Sequence, residues 1–214
     1  MGRSPALDQA LSGALDAAGR EASEIGYFDL YSCFPIVVLE ARAALGISAN
    51  DPRTLTQTGG LPYFGGPGNN YSMHAIASLV QTLRGDPGSH GLVYANGGFM
   101  SKHAVGVYST DAPADWQPCD SADFQKIVDG QHRVQVVSSP AGAGRIESWV
   151  VSYRKGSPAG VIITGRLSEN GARFLAVGMP GDQETLAEFT GGDPLGRSIR
   201  VQAGPEANTF TFSD

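Results

Sequence analysis

The spacing of apolar residues changes once along the chain, near residue 110, and this change limits the possible folds more than any other feature. Before it, Leu7, Ala10, Leu11, Ala14, Leu15 and Ala18 recur at helical spacing, as do Met73, Ile76, Ala77, Val80 and Leu83. Behind it, β-branched and aromatic runs at 133–139, 145–154, 158–167, 173–179, 197–203 and 208–212 are punctuated by Gly, Pro and Asn. The pattern predicts an α/β domain over 1–112 and a small β domain over 113–214. The polar, proline-bearing stretch 110–118 would join them.

Within the first region, Ser4 before Pro5 reads as an N-cap for a helix ending at Gly19. Residues 25–31 read as a short buried strand, and Pro35 opens a second helix that stops at Gly46. Residues 50–70 carry little periodic hydrophobicity and many glycines, which predicts a loop with one short strand at 55–58. A third helix follows, with Asn69 or Asn70 as N-cap and Gly85 past its end. Strands at 91–95 and 104–109 are joined by the segment 96–103. In the second region, five or six strands with one helix at 182–189 suit a small closed barrel of the oligonucleotide/oligosaccharide-binding (OB) type.

Charge and cysteine usage narrow the function. The formal net charge is −6, and the chain is net acidic on both sides of Thr110, which argues against a nucleic-acid partner. Cys33 and Cys119 have no CxxC spacing and no histidine cluster beside them, so neither a disulfide framework nor a metal site is expected. No stretch approaches the roughly 20 apolar residues that span a bilayer, and the start lacks an apolar signal core. A cytoplasmic setting is the expectation.

The segment with the most chemical content runs from Gly59 to Tyr71, into the third helix. Glycines let backbone approach a ligand, and a helix start offers unpaired N–H groups and the positive end of the dipole. Gly66, Gly68, Asn69 and Asn70 would bind an anionic or oxyanionic group there, with a structural turn as the competing reading. His74, one turn into the helix, could face the same pocket, with a helix-surface histidine as the favoured competing reading. Gly97 and Gly98 form a second glycine loop beside Asn96, and His103 lies at its far end, close enough in sequence for oxyanion or thioester contact, with a packing or strand-start histidine as the favoured competing reading.

These pieces, in this order, resemble the C-terminal half of thiolases. That half has a strand leading into an NEAF or HDCF-type loop, then a GG…GHP…G loop capping a helix, then a cysteine-bearing glycine loop between two strands. The corresponding places here read Tyr31-Ser32-Cys33-Phe34, Gly59-Gly60 with Gly65-Gly66-Pro67, and Ala95-Asn96-Gly97-Gly98. The run GGLPYFGGPGNNYSMHA is similar to the acetyl-CoA acetyltransferase-like branch. The β-rich tail resembles the additional C-terminal domain of thiolase-like protein type 1.

The resemblance implies an acyl-CoA substrate, with coenzyme A as part of that substrate and no separate cofactor. It also implies departures: Gly66 stands where the GHP histidine belongs, Asn96 stands where the second cysteine belongs, and Asn cannot shuttle a proton at neutral pH. The nucleophile is expected from an N-terminal half outside this sequence, supplied by a complementary chain, with homo-oligomerisation as the other expected association. Asn96, His103 and Tyr31 are then the candidate catalytic residues. Tyr31 takes the place of the loop's Asn or His and could exchange a proton with a β-hydroxy or β-keto thioester, as in a retro-aldolase subunit. A non-catalytic CoA-binding or assembly module is the further alternative.

Overall fold

The computed structural model describes residues 3–113 and 119–213. Two compact units divide the chain after Gln131. Of the expected linker, residues 114–118 lie outside the described residues.

The first unit opens with α1, Pro5–Ala18, where Ser4 Oγ accepts from the Leu7 N–H and Gly19, left-handed at φ 61°, closes the last turn. Strand β1, Tyr27–Leu30, pairs in parallel with β2, His90–Gly97, which pairs antiparallel with β3, Lys102–Ser109. Helices α2, Pro35–Ala44, and α4, Tyr71–Gly85, complete the frame, with the short α3, Leu61–Phe64, inside the glycine-rich segment. Alternate strand residues face opposite ways. Phe28, Leu30, Leu92 and Tyr94 join Leu7, Leu11 and Val37 in one buried cluster, while Val93 joins Leu79 and Leu83 of α4 in another. Gly91 is required where β2 meets α4, because a Cβ there would collide with the Leu79 side chain.

Several local expectations change. Residues 55–58 form no strand, although the Leu30 N–H donates to the Leu55 carbonyl along the outer edge of β1. Gly85 belongs to the last turn of α4 rather than lying beyond it. A helix missing from the sequence reading, α5, Ser121–Asp129, is capped by Asp120 and lays Phe124 against Gly13 of α1, so it packs with the first unit.

The second unit is a closed barrel in which β4, Gly142–Arg154, pairs with β5, Ser157–Leu167, then with β6, Arg173–Gly178, β8, Thr209–Phe212, and β7, Ser198–Gln202, which returns to β4. Helix α6, Gln183–Gly191, lies between β6 and β7 in sequence, capped by Asp182. Ile146, Ile163, Phe174, Phe189, Ile199 and Phe210 fill the interior. The run 133–139 is not a barrel strand. It makes an isolated bridge between Val136 and Arg173, since the circuit closes without it.

Candidate functional site

Parallel strands β1 and β2 end side by side, with Leu30 opposite Tyr94, so the segments that follow them emerge at one edge of the sheet. Ligands of α/β sheets sit at such carboxyl ends. The loop leaving β1, Tyr31-Ser32-Cys33-Phe34, reaches both glycine segments. Ser32 Oγ accepts from the Leu61 N–H at 2.9 Å, and the Asn96 amide donates to Cys33 Sγ at 3.8 Å, within the longer reach of sulfur. Gly60 holds φ 90° beside Ser32, where a Cβ would come within 3.1 Å of Ser32 Oγ.

The residue that organises this arrangement is Asp29, a carboxylate with no exposed surface in the middle of β1. Its Oδ2 accepts from the Gln57 N–H at 2.8 Å, from Thr56 Oγ1 at 3.1 Å and from the Thr58 N–H and hydroxyl at 3.3 Å, and its Oδ1 accepts from Tyr71 OH at 3.1 Å. A buried charge needs that density of donors. The sequence reading passed over it, and the available signal was one Asp between two apolar residues, Phe28 and Leu30, inside a buried strand.

The N–H groups of Gly59, Gly60 and Leu61 are already taken, by Thr56 Oγ1, Thr58 Oγ1 and Ser32 Oγ. One step later, the start of α4 has its Met73 and His74 N–H groups on the Asn70 carbonyl. Asn70 occupies the N-cap of α4, but it gives that helix no side-chain cap and its amide instead meets His74 Nε2 at 3.1 Å. Gly66, Gly68, Asn69 and Asn70 are exposed around that helix start. A side chain at Gly66 would press within 2.8 Å of Leu61 Cδ2, so a histidine there requires Leu61 to move.

The aromatic rings form a row. Tyr31 meets Tyr71 edge-on at 5.5 Å, Tyr71 meets Phe64 at 6.2 Å, and Phe64 meets His74 at 5.3 Å. Burial pushes the Tyr71 phenol above its ordinary range. Tyr31 and His74 thus stand at the two ends of one packed row.

Asn96 and Gly97 are the last residues of β2, and Gly98 turns the chain at φ 61°. Asn96 Oδ1 is buried and has no hydrogen-bond partner among the described residues. His103 lies opposite Asn96 in the register, yet its ring is engaged elsewhere: Nδ1 meets Tyr94 OH at 3.0 Å, and Nε2 meets the Met100 carbonyl at 3.0 Å and Ser4 Oγ at 3.4 Å. A carbonyl only accepts, so Nε2 carries the proton and Nδ1 takes the tyrosine hydrogen. Burial holds the imidazole below its usual pKa and favours this neutral form. The structure therefore joins the Tyr31–Phe34 loop to Asn96 and to the first glycine turn. Among the described residues, no hydrogen bond ties His74 or His103 to Asn96 or Cys33.

Known proteins share this fold. A solved structure of a monomeric SCP2-thiolase like protein type 1 from Mycobacterium smegmatis superposes with a TM-score of 0.91 at 44% identity, over 99% of this chain and 46% of that one. Residues 123–205 match the family model of the thiolase-like protein type 1 additional C-terminal domain. The chain has a thiolase-like fold. Acetyl-CoA acetyltransferase 1 of Arabidopsis thaliana is 30% identical over an aligned length of 112, covering 48% of this chain and 26% of the plant protein. The chain thus spans under half the length of the solved relative and about a quarter of the curated one. The matched β-rich domain begins within α5, and no helix among the described residues is long and apolar enough to cross a membrane.

Proposed function

We propose that this chain is the acyl-CoA-binding portion of a thiolase-type acyltransferase, with coenzyme A arriving as part of the substrate. One observation carries the reading: the loop after β1 touches the first glycine turn through Ser32 and the second through Cys33 and Asn96. A thioester held at that junction would meet the amide of Asn96 and the backbone of Gly97 and Gly98. The uncapped start of α4, with Gly66, Gly68, Asn69, Asn70 and His74 around it, supports a place for an anionic group of the same ligand.

The same geometry supports binding without turnover by this chain alone. Acyl transfer needs a nucleophile and a group that moves protons. Both nitrogens of His103 are already engaged and Asn96 does not ionise, so a complementary thiolase half would supply the chemistry. That partner is favoured over a second copy because the solved relative is described as monomeric and extends well beyond the matched half. The strand order β4-β5-β6-β8-β7, with α6 between β6 and β7, supports an OB-like reading of the barrel. Two free cysteines suit a reducing, cytoplasmic setting, and the acyl substrate belongs to lipid metabolism.

Calorimetric titration with acetyl-CoA tests the binding. Saturable heat is the expected result, and no heat at millimolar ligand contradicts it. Retro-aldol cleavage through Tyr31 is the alternative chemistry; with the complementary half added, loss of β-hydroxyacyl-CoA cleavage in Tyr31→Phe would favour it, and full activity would sink it.

A further inference from the structure

The outer surface of the barrel carries a charge arrangement that folding alone does not favour. Arg145 of β4 lies directly opposite Arg166 of β5, and Arg166 lies directly opposite Arg173 of β6. Their neighbours Ile146 and Phe174 point into the core, so the three guanidinium groups share the outside of the sheet. Like charges facing each other across strands destabilise a sheet.

A β-bulge between Ile146 and Ser148 places Glu147 on this face, where its two oxygens accept from Arg166 Nε and Arg173 Nε, each at 2.6 Å. One carboxylate serves two arginines. Arg145 is exposed and has no acidic partner among the described residues. Beside it opens a depression of about 380 Å³ lined by Arg145, Glu147, Arg166 and Ser168 together with the apolar Ile146 and Leu167.

We propose that this depression is a binding site for a dianionic phosphate group carried by a small molecule, gripped by Arg145 and by Nη2 of Arg166, whose Nε is held by Glu147 and whose Nη1 donates to the Gly171 carbonyl at 3.1 Å. Three guanidinium groups against one carboxylate leave this face of the sheet with an excess of positive charge, with Arg145 and Arg166 at the depression itself, which suits a multiply charged anion. The planar guanidinium fork also suits paired phosphate oxygens. The site belongs to the barrel alone and is independent of the thioester reading.

The test is titration of the 214-residue chain at low salt with inorganic phosphate and with pyrophosphate, followed by calorimetry and by the arginine side-chain NMR signals. Both anions should bind and shift the Arg145 and Arg166 signals. Arg145→Gln should weaken binding by about tenfold or more, as expected for loss of a charge-assisted contact. Glu147→Gln, which frees Arg166 and Arg173, should tighten it. Arg154→Gln, exposed at the far end of β4, should leave it unchanged.

The proposal is overturned if neither anion binds, or if Arg145→Gln binds as the unaltered chain does. It is also overturned if a single-stranded oligonucleotide binds through Arg145 at concentrations where pyrophosphate does not. Should Glu147→Gln unfold the barrel, the surface substitution Arg145→Gln still decides the matter.

Discussion

Tyr71, at the first turn of α4, donates its phenolic hydrogen to the buried carboxylate of Asp29 across 3.1 Å, tying the start of that helix to the middle of β1. The same carboxylate takes the backbone N–H of Gln57 at 2.8 Å. One side chain therefore fixes both ends of the segment that carries Gly59, Gly60, Gly65 and Gly66. A glycine-rich loop is costly to order, and this buried acceptor offsets part of that cost.

Asp29→Asn should test how much the loop depends on the charge. The amide turns an NH₂ group toward donors that need an acceptor, so a loss of about 3 kcal/mol in urea unfolding is expected. Tyr71→Phe removes one donor and should cost about 1 kcal/mol. Limited proteolysis of the Asn variant should cut first between residues 56 and 70.

The stability of the first unit should depend on pH through His103. Burial lowers its folded pKa from the ordinary 6.5. Between the folded and the ordinary value the unfolded chain binds more protons than the folded one, so stability rises with pH across that window. The contribution is complete above about pH 6.5 and is lost as pH falls toward the folded value. Replacing His103 with Gln should flatten the low-pH side of a Tm-against-pH curve, and an unchanged slope would show that other groups carry it.

The barrel gives a local packing test at Gly165. A Cβ at that position would collide with the Phe174 ring, which is buried at 1% exposure. Gly165→Ala should destabilise the second unit by about 1–3 kcal/mol, as overpacking does. If the alanine variant unfolds at the same denaturant concentration, the Phe174 ring does not sit where the structure has it.

Much of the frame was legible because it follows from short-range pattern. Ser4, Pro5 and Gly19 mark the ends of α1, and the i, i+4 spacing of Leu7 and Leu11 marks its buried face. The two glycine segments were legible as chemistry-bearing turns. Contacts made at long range were not. Cys33 and Asn96 lie 63 residues apart, and nothing local to either announces the other. The partners of His103 were not legible, because Tyr94 and Ser4 meet it only once β2, β3 and α1 are assembled. Helix α5 escaped because its packing contact, Phe124 on Gly13, depends on α1. Residues 133–139 misled for the opposite reason: Val134, Val136 and Val137 favour a strand, but the five pairings of the barrel close without them.

The account rests on an acyl thioester meeting the loop after β1 beside Asn96, and the two cysteines allow a direct measurement. Cys33 is half-buried at that junction and Cys119 is exposed, so each reports on its own surroundings. Rates of iodoacetamide labelling can be followed by mass spectrometry with and without acetyl-CoA, which has no free thiol to compete. Acetyl-CoA should slow labelling of Cys33 by about tenfold or more at saturation, in proportion to occupancy, while Cys119 reacts at its original rate. Equal slowing of both cysteines, or none at Cys33, would contradict thioester binding at this junction.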